Sequence, residues 1–365
     1  MIDPTTFYET LSHMGLDFFT GVPDSLLQSL CACLSDRAGK NYVIAANEGN
    51  AVGIAAGHYL ATGRPAVVFM QNSGIGNAVN PLLSLADALV YRIPMLLLIG
   101  WRGEPGTRDE PQHKKQGLIT LPLLETMGIP ARILDNNWRE TLSDCAELLE
   151  QGCIPALVIR KNTFSGYPFQ PEPCSFTMTR EQALGVILSC LSEKDFIVST
   201  TGKTSRELYA LREASGQGHG NDFLTVGSMG HASSIALGLS LASDKNIYCI
   251  DGDGAFLMHM GASAVNGCTG GRNLKYILIN NGCHESVGGQ KTVGFQIDIK
   301  KILEGCGFRV YTAENAEQLR QGMLQLKQQK AALIVRVRPG SREDLGRPST
   351  SPEENKLRFM ENIST

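Results

Sequence analysis

The feature that most limits how this chain can fold is one pattern written twice, at an offset of roughly 180 residues. In the first copy, a small-residue stretch, Asn50 to Gly57, precedes the apolar run Ala66-Val67-Val68-Phe69-Met70. Gln71-Asn72-Ser73-Gly74 follows, then a helical stretch, then the apolar run Pro94 to Ile99. In the second copy, the small-residue stretch Ala232 to Leu239 precedes the run Asn246 to Ile250. Asp251-Gly252-Asp253-Gly254 follows, then a helical stretch, then the run Leu274 to Ile279. Continuous apolar strands alternating with helices predict an α/β chain of two doubly wound parallel-sheet domains. The expected boundaries are residues 1–165 and 179–340. A linker is expected at 166–178, where the proline-rich stretch Gly166 to Cys174 breaks any periodic pattern. Thr179 with Gln182 reads as the capping box that opens the second domain. Residues 341–365 form a polar, proline-broken extension, expected to wrap the surface or fray.

Composition excludes several classes. The net charge is −3 with 19% charged residues, which gives no basic footprint for nucleic acid. No apolar run is long enough to span a bilayer. The N-terminus Met1-Ile2-Asp3-Pro4 does not read as a signal peptide. The ten cysteines contain no Cys-x-x-Cys pair, so neither a disulfide framework nor a structural zinc site is expected. A cytoplasmic protein with no membrane partner is the expectation.

The chemistry begins at two strand ends. Gly252-Asp253-Gly254 and Asn280-Asn281 each follow an apolar β-type run. Carboxyl ends of neighbouring parallel strands converge on one crevice, where ligands bind. A carboxylate, an amide oxygen and nearby backbone carbonyls form a hard-oxygen set suited to Mg²⁺. Glycines beside the Asp let a phosphate approach the backbone. A Gly-Asp-Gly alone is commonly only a turn; the Asn-Asn at the next strand end makes the combination specific. Glu48, between the apolar run Tyr42 to Ala45 and the Gly/Ala-rich stretch, reads either as a first-turn carboxylate favoured by the helix dipole or as a buried acid able to share a proton with a ring nitrogen. Gly227-Ser228-Met229-Gly230 is a loop whose Met either fills a core gap or meets a ligand. Gly202-Lys203-Thr204 imitates the end of a P-loop. That motif needs a glycine where this chain has Ile197, so nucleotide binding at Lys203 is the weaker reading.

Together these motifs resemble the thiamine-diphosphate (ThDP) enzymes, and the resemblance covers about residues 1 to 340. It implies ThDP and Mg²⁺ as cofactors, a pyrimidine-binding domain at 1–165 and a diphosphate-binding domain at 179–340. It implies that Asp253, Asn281 and the Cys283 carbonyl ligate Mg²⁺, with Asn280 as the alternative to Asn281. Gly252, Gly254, Ala255, Gly202, Thr204 and Asn72 would contact the cofactor. Glu48 would exchange a proton with the aminopyrimidine, the Gly227 carbonyl would accept from its amine, and Met229 would prop the cofactor from beneath.

Larger members of the family insert a third domain, for which this linker leaves no room. The short two-domain form resembles the ThDP-dependent 2-oxo acid decarboxylases acting on substrates with a second anionic group. Supporting stretches are Gly21 to Ser25, Gln71 to Gly74, Asp109 to His113, Thr200 to Leu208 and Asn280 to Ser286. The resemblance implies non-oxidative decarboxylation of 3-phosphonopyruvate to phosphonoacetaldehyde and CO₂, a step of phosphonate biosynthesis, with sulfopyruvate as the alternative substrate. A catalytically silent ThDP-fold protein is disfavoured by the presence of Glu48, Asp253 and Asn281. Substrate contacts are expected from Asp24, Ser25, Gln71, Arg108, His113, Lys203 and His284. His113 is a candidate proton carrier. Arg102, Arg108, Lys203, Arg206 and His284 are expected to form a cationic lining. The resemblance further implies a homodimer or higher homo-oligomer with active sites between subunits.

Overall fold

The computed structural model describes residues 1–170 and 173–364. Pro171 and Glu172, inside the expected linker, lie outside the described residues, as does Thr365 at the end of the expected extension. The chain divides into two compact units, 1–171 with 286–290, and 172–285 with 291–365.

The first unit holds six strands: β1 (Phe19–Gly21), β2 (Tyr42–Ile44), β3 (Ala66–Gln71), β4 (Met95–Gly100), β5 (Ala131–Ile133) and β6 (Ala156–Ile159). The second holds β7 (Asp195–Ser199), β8 (Asp222–Leu224), β9 (Asn246–Gly252), β10 (Leu274–Asn280), β11 (Arg309–Ala313) and β12 (Ala331–Arg336). Both sheets are parallel, with orders β2-β1-β3-β4-β6-β5 and β11-β12-β10-β9-β7-β8. Read from the other edge, the second order is β8-β7-β9-β10-β12-β11. The two units therefore share one topology, with β3 matching β9 and β4 matching β10. That is the architecture the duplicated pattern predicts.

Alternation along the strands builds the cores. In β3, Val68 and Met70 face one buried cluster while Val67 and Phe69 face the other. In β9, Tyr248 and Ile250 face one cluster while Ile247 and Cys249 face the other. Successive side chains point to opposite faces, and helices cover both, so the middle of each strand is a continuous apolar run. The capping box forms as expected: Thr179 Oγ1 accepts from the Gln182 N–H and Gln182 returns the bond, opening helix Arg180–Cys190.

Carboxyl-end register places the chemistry. Ile279 of β10 lies opposite Gly252 of β9, so Asn280-Asn281 and Asp253 leave the sheet side by side. In the first unit Gln71 lies opposite Gly100, which brings the loops after β3 and β4 together.

The extension does not fray; it packs on the second unit, much of it as a helix. Ser351 and Glu354 form a second capping box, and helix Pro352–Ile363 buries Phe359 against Phe196 and Phe223. Asn355 acts as a surrogate strand at the open edge of β8. Its Oδ1 accepts from the Leu224 N–H at 3.0 Å, and its Nδ2 donates to the Asp222 carbonyl at 2.7 Å. An edge strand otherwise presents unpaired backbone groups. Among the described residues no helix is long and apolar enough to cross a membrane. Asn355→Leu strands one buried N–H and one buried C=O, so the unfolding free energy falls by about 2 kcal/mol. Urea denaturation measures this, and an unchanged midpoint would show that the amide caps nothing.

Candidate active site

In the second unit, Asp253 opens helix Asp253–Met258 immediately after β9 and is only 2% exposed. Its carboxylate accepts from the Thr292 hydroxyl, and the backbone N–H groups of Asn281 and Gly254 also point to it. Burial pushes its pKa up to about 6 against these donors. Gly294 closes over the group: a Cβ there would lie 2.7 Å from Asp253 Oδ2 and 2.8 Å from Asn280 Oδ1, so only glycine fits.

The two asparagines have different duties. Asn280 donates to the Gly294 carbonyl at 2.7 Å and accepts from the Gly282 N–H at 3.1 Å, which uses its amide to shape the loop. Asn281 donates to Glu285 Oε2 at 2.9 Å, while its Oδ1 takes one long bond, 3.2 Å, from the Cys283 N–H. That oxygen keeps a lone pair for a further partner. Among the described residues no cluster of three or more His, Cys, Asp and Glu converges on a metal position. Asp253, the Asn281 amide and a backbone carbonyl are the donor set present, all oxygen, and they fit Mg²⁺. The Cys283 thiol is pushed by burial up to about 12, which leaves that residue its carbonyl and not a thiolate.

His284 and Met229 enclose Gly254: a Cβ there would meet the His284 ring at 3.0 Å and Met229 Cε at 3.2 Å. The Gly227 N–H donates to Thr201 Oγ1 at 3.1 Å, fixing the loop that presents its carbonyl. Gly202 and buried Thr204 stand at the start of helix Lys203–Ala214.

The expected cationic lining does not hold together. Burial pushes His284 down to about 4, so it is neutral at neutral pH. Lys203 donates to Glu285 at 3.2 Å. Arg206 donates to the Gly346 carbonyl at 2.7 Å and to that of Leu345, tying down the extension. Arg102 is clamped by Asp109 through Nε at 2.8 Å and Nη2 at 2.5 Å. Arg108 stands exposed on its loop.

In the first unit, Glu48 opens helix Glu48–Thr62 with Asn47 as N-cap and is 5% exposed. Asn77 donates to its Oε2 at 2.7 Å. Gly74 leaves room for the carboxylate, since a Cβ there would lie 2.2 Å from Oε1. The loops after β1, β3 and β4 meet one another. Gln71 donates to Asp24 Oδ1 at 2.5 Å, the Leu26 N–H donates to Asp24 Oδ2 at 2.9 Å, and Arg102 Nη1 donates to Ser25 Oγ at 2.9 Å. Burial raises the Asp24 carboxyl above its ordinary range. Asn72 uses both amide hydrogens, donating to the Arg102 carbonyl and Thr120, and its Oδ1 accepts from the Arg102 N–H. His113 is buried with no partner at Nδ1 among the described residues, and burial together with Arg102 pushes it down to about 4.

Sequence reasoning passed over Thr292 and the ion-pair group of Arg180, Glu207 and Glu285. Arg180 grips Glu207 at 2.8 and 2.7 Å and Glu285 at 2.9 and 3.3 Å. Glu207 and Glu285 lie in two of the stretches that carry the resemblance, but Arg180 is far from both in sequence and nothing local announces that the three meet.

The comparisons agree with the geometry. The family model "Thiamine pyrophosphate enzyme, N-terminal TPP binding domain" matches residues 5–121. The model "Thiamine pyrophosphate enzyme, C-terminal TPP binding domain" matches residues 200–337. A phosphonopyruvate decarboxylase of Streptomyces hygroscopicus is 32% identical over 99% of this chain and 94% of its own length. Another, of Streptomyces viridochromogenes, is 32% identical over 100% and 96%. A sulfopyruvate decarboxylase of Methanosarcina acetivorans is 28% identical over 97% and 96%. The chain belongs to the thiamine pyrophosphate enzymes.

The two neutral histidines set a pH dependence. Unfolded imidazoles take up protons near 6.5, whereas His113 and His284 do so at about 4 in the folded chain. A depressed folded pKa contributes stability that is complete above the unfolded value and is lost as pH falls toward the folded one. His113→Asn and His284→Asn should therefore each lose less stability than the wild type between pH 6.5 and 4. Urea midpoints across that window test this; an equal acid loss in both variants would contradict it.

Proposed function

We propose that this chain catalyses the ThDP- and Mg²⁺-dependent, non-oxidative decarboxylation of 3-phosphonopyruvate to phosphonoacetaldehyde and CO₂. The observation that carries the reading is the pair Asp253 and Asn281 at adjacent strand ends, in a chain 32% identical over its whole length to phosphonopyruvate decarboxylases. In this reading residues 1–165 bind the pyrimidine and residues 179–340 bind the diphosphate.

Bound ThDP supplies an electron sink for the carbanion left when a 2-oxo acid loses CO₂. The protein does the rest. Asp253, the Asn281 amide oxygen and the Cys283 carbonyl hold Mg²⁺, while Gly202, Thr204, Gly252, Gly254 and Ala255 form the wall that receives the diphosphate. The Gly227 carbonyl and Met229 fix the pyrimidine. Glu48, oriented by Asn77 and kept from bulk water, holds and returns a proton at its carboxylate. His113, neutral and with Nδ1 free of protein partners, takes or gives a proton at that nitrogen. Asn72 holds the loop that carries Arg102.

The substrate is a 2-oxo acid with a second anionic group. Asp24, Ser25 and Gln71 present its polar contacts, with Arg108, and Arg102 donating beside Ser25. A guanidinium suits a phosphonate better than a point charge does, because it offers a planar fork of donors. Lys203 and His284 also contact this substrate, Lys203 while paired with Glu285 and His284 as a neutral ring. Sulfopyruvate is the second reading, favoured by the relative at 28% identity. The enzyme works as a homodimer at least, with Glu48 and Asp253 of each site drawn from different chains.

CO₂ release from phosphonopyruvate, sulfopyruvate and pyruvate in parallel decides the substrate. Phosphonopyruvate is expected to be turned over fastest, and faster turnover of sulfopyruvate would transfer the assignment. Glu48→Gln should retain ThDP but lose at least about a hundredfold in kcat; full activity would remove the proton-relay role. Asp253→Ala should abolish Mg²⁺-dependent ThDP binding, and unchanged affinity by calorimetry would sink the metal site.

A further inference from the structure

We propose that Glu285 is a positioning residue that sets the orientation of the Asn281 amide, and that Arg180 and Glu207 hold Glu285 in place for that task. The inference rests on the cofactor reading above but assigns roles to residues which that reading leaves out.

A side-chain amide has two ends, and only the oxygen can ligate Mg²⁺. Its orientation follows from its hydrogen bonds. Glu285 Oε2 lies 2.9 Å from Asn281 Nδ2. An ionised carboxylate only accepts, so the NH₂ end must face it and Oδ1 must face away. Arg180 and Lys203 both donate to this carboxylate, so its two oxygens face donors on that side as well and serve as acceptors.

The carboxylate is itself immobilised. Arg180 donates to Glu285 Oε2 at 2.9 Å and to Oε1 at 3.3 Å, and Lys203 donates to Oε1 at 3.2 Å. Arg180 is in turn clamped by Glu207 at 2.8 and 2.7 Å, and both of those side chains are almost fully buried. Two carboxylates against one guanidinium and one ammonium balance in charge, the condition under which a buried ion group persists. Lys203 starts the helix after β7 and Asn281 follows β10, so the group ties two loops of the cofactor wall to one anchor. Partners that orient a metal ligand are worth about 10- to 100-fold in metal affinity.

Glu285→Gln is the informative substitution. A glutamine has one acceptor oxygen where the wild type has two, against donors from Arg180, Lys203 and Asn281. Its oxygen goes to the cations and its NH₂ turns toward Asn281, which drives that amide over. The experiment is calorimetric titration of Mg²⁺ into the full-length protein with saturating ThDP. The expected result is a 10- to 100-fold weaker Mg²⁺ dissociation constant in Glu285→Gln. In an Asn281→Ala background the same substitution should add no further loss, because residues acting as one unit are non-additive. Glu285→Asp keeps the charge but not the reach; it should also weaken Mg²⁺, and it stands in if the glutamine variant does not fold. Wild-type Mg²⁺ affinity in a folded Glu285 variant, even with a lowered Tm, would overturn the inference, as would full additivity with Asn281→Ala. Failure of the wild type to bind ThDP with Mg²⁺ would instead overturn the cofactor reading and this inference with it.

Discussion

The structure turns on a carboxylate placed where a carboxylate is costly. Asp253 is 2% exposed, at the end of a strand buried on both faces. An isolated charge there is expensive unless donors and a cation offset it. Its surroundings follow from that constraint. Thr292 and two backbone N–H groups reach the carboxylate, and Gly294 gives up a side chain to let the loop close. The neighbouring strand ends in Asn280 and Asn281, one shaping the loop and the other presenting an oxygen. A parallel sheet makes this possible because the register of β9 and β10 delivers both ends to one edge.

The duplicated architecture shows how one fold takes on two tasks. β3 occupies in the first sheet the place of β9 in the second, yet it ends in Gln71-Asn72 and not Gly-Asp. Asn72 pins the Arg102 backbone and Thr120. The first unit has no acid at the metal position and carries Glu48 on the helix after β2 instead. In the proposed reading, divergence at strand ends over a shared strand order separates an anion-and-metal seat from a proton-handling loop set.

Much of this was legible in the sequence, because strands buried on both faces read as continuous apolar runs and their ends are marked by Gly, Asp and Asn. The capping box at Thr179 and the repeat of strand order were readable for the same local reason. What escaped was set by tertiary contacts. Lys203, Arg206 and His284 look like cations in a row of letters. In the fold one is paired with Glu285, one holds the carbonyls of Leu345 and Gly346, and one is too buried to be protonated at neutral pH. Arg180, Glu207 and Glu285 share no spacing that periodicity could detect. The helix Pro352–Ile363 was hidden in a polar segment, since its two inward residues, Asn355 and Phe359, are a small part of its composition.

The proposed division of one active site between a proton-handling half and a metal-binding half is tested most directly by mixing two inactive proteins. Glu48→Gln lacks the first function and Asp253→Ala the second. CO₂ release from phosphonopyruvate is measured after the variants are dissociated together and reassembled. Recovery of turnover well above either variant alone is the expected result, because in the proposed homo-oligomer a hybrid would contain one site with Glu48 from one chain and Asp253 from the other. No recovery from a demonstrably hybrid assembly would contradict it.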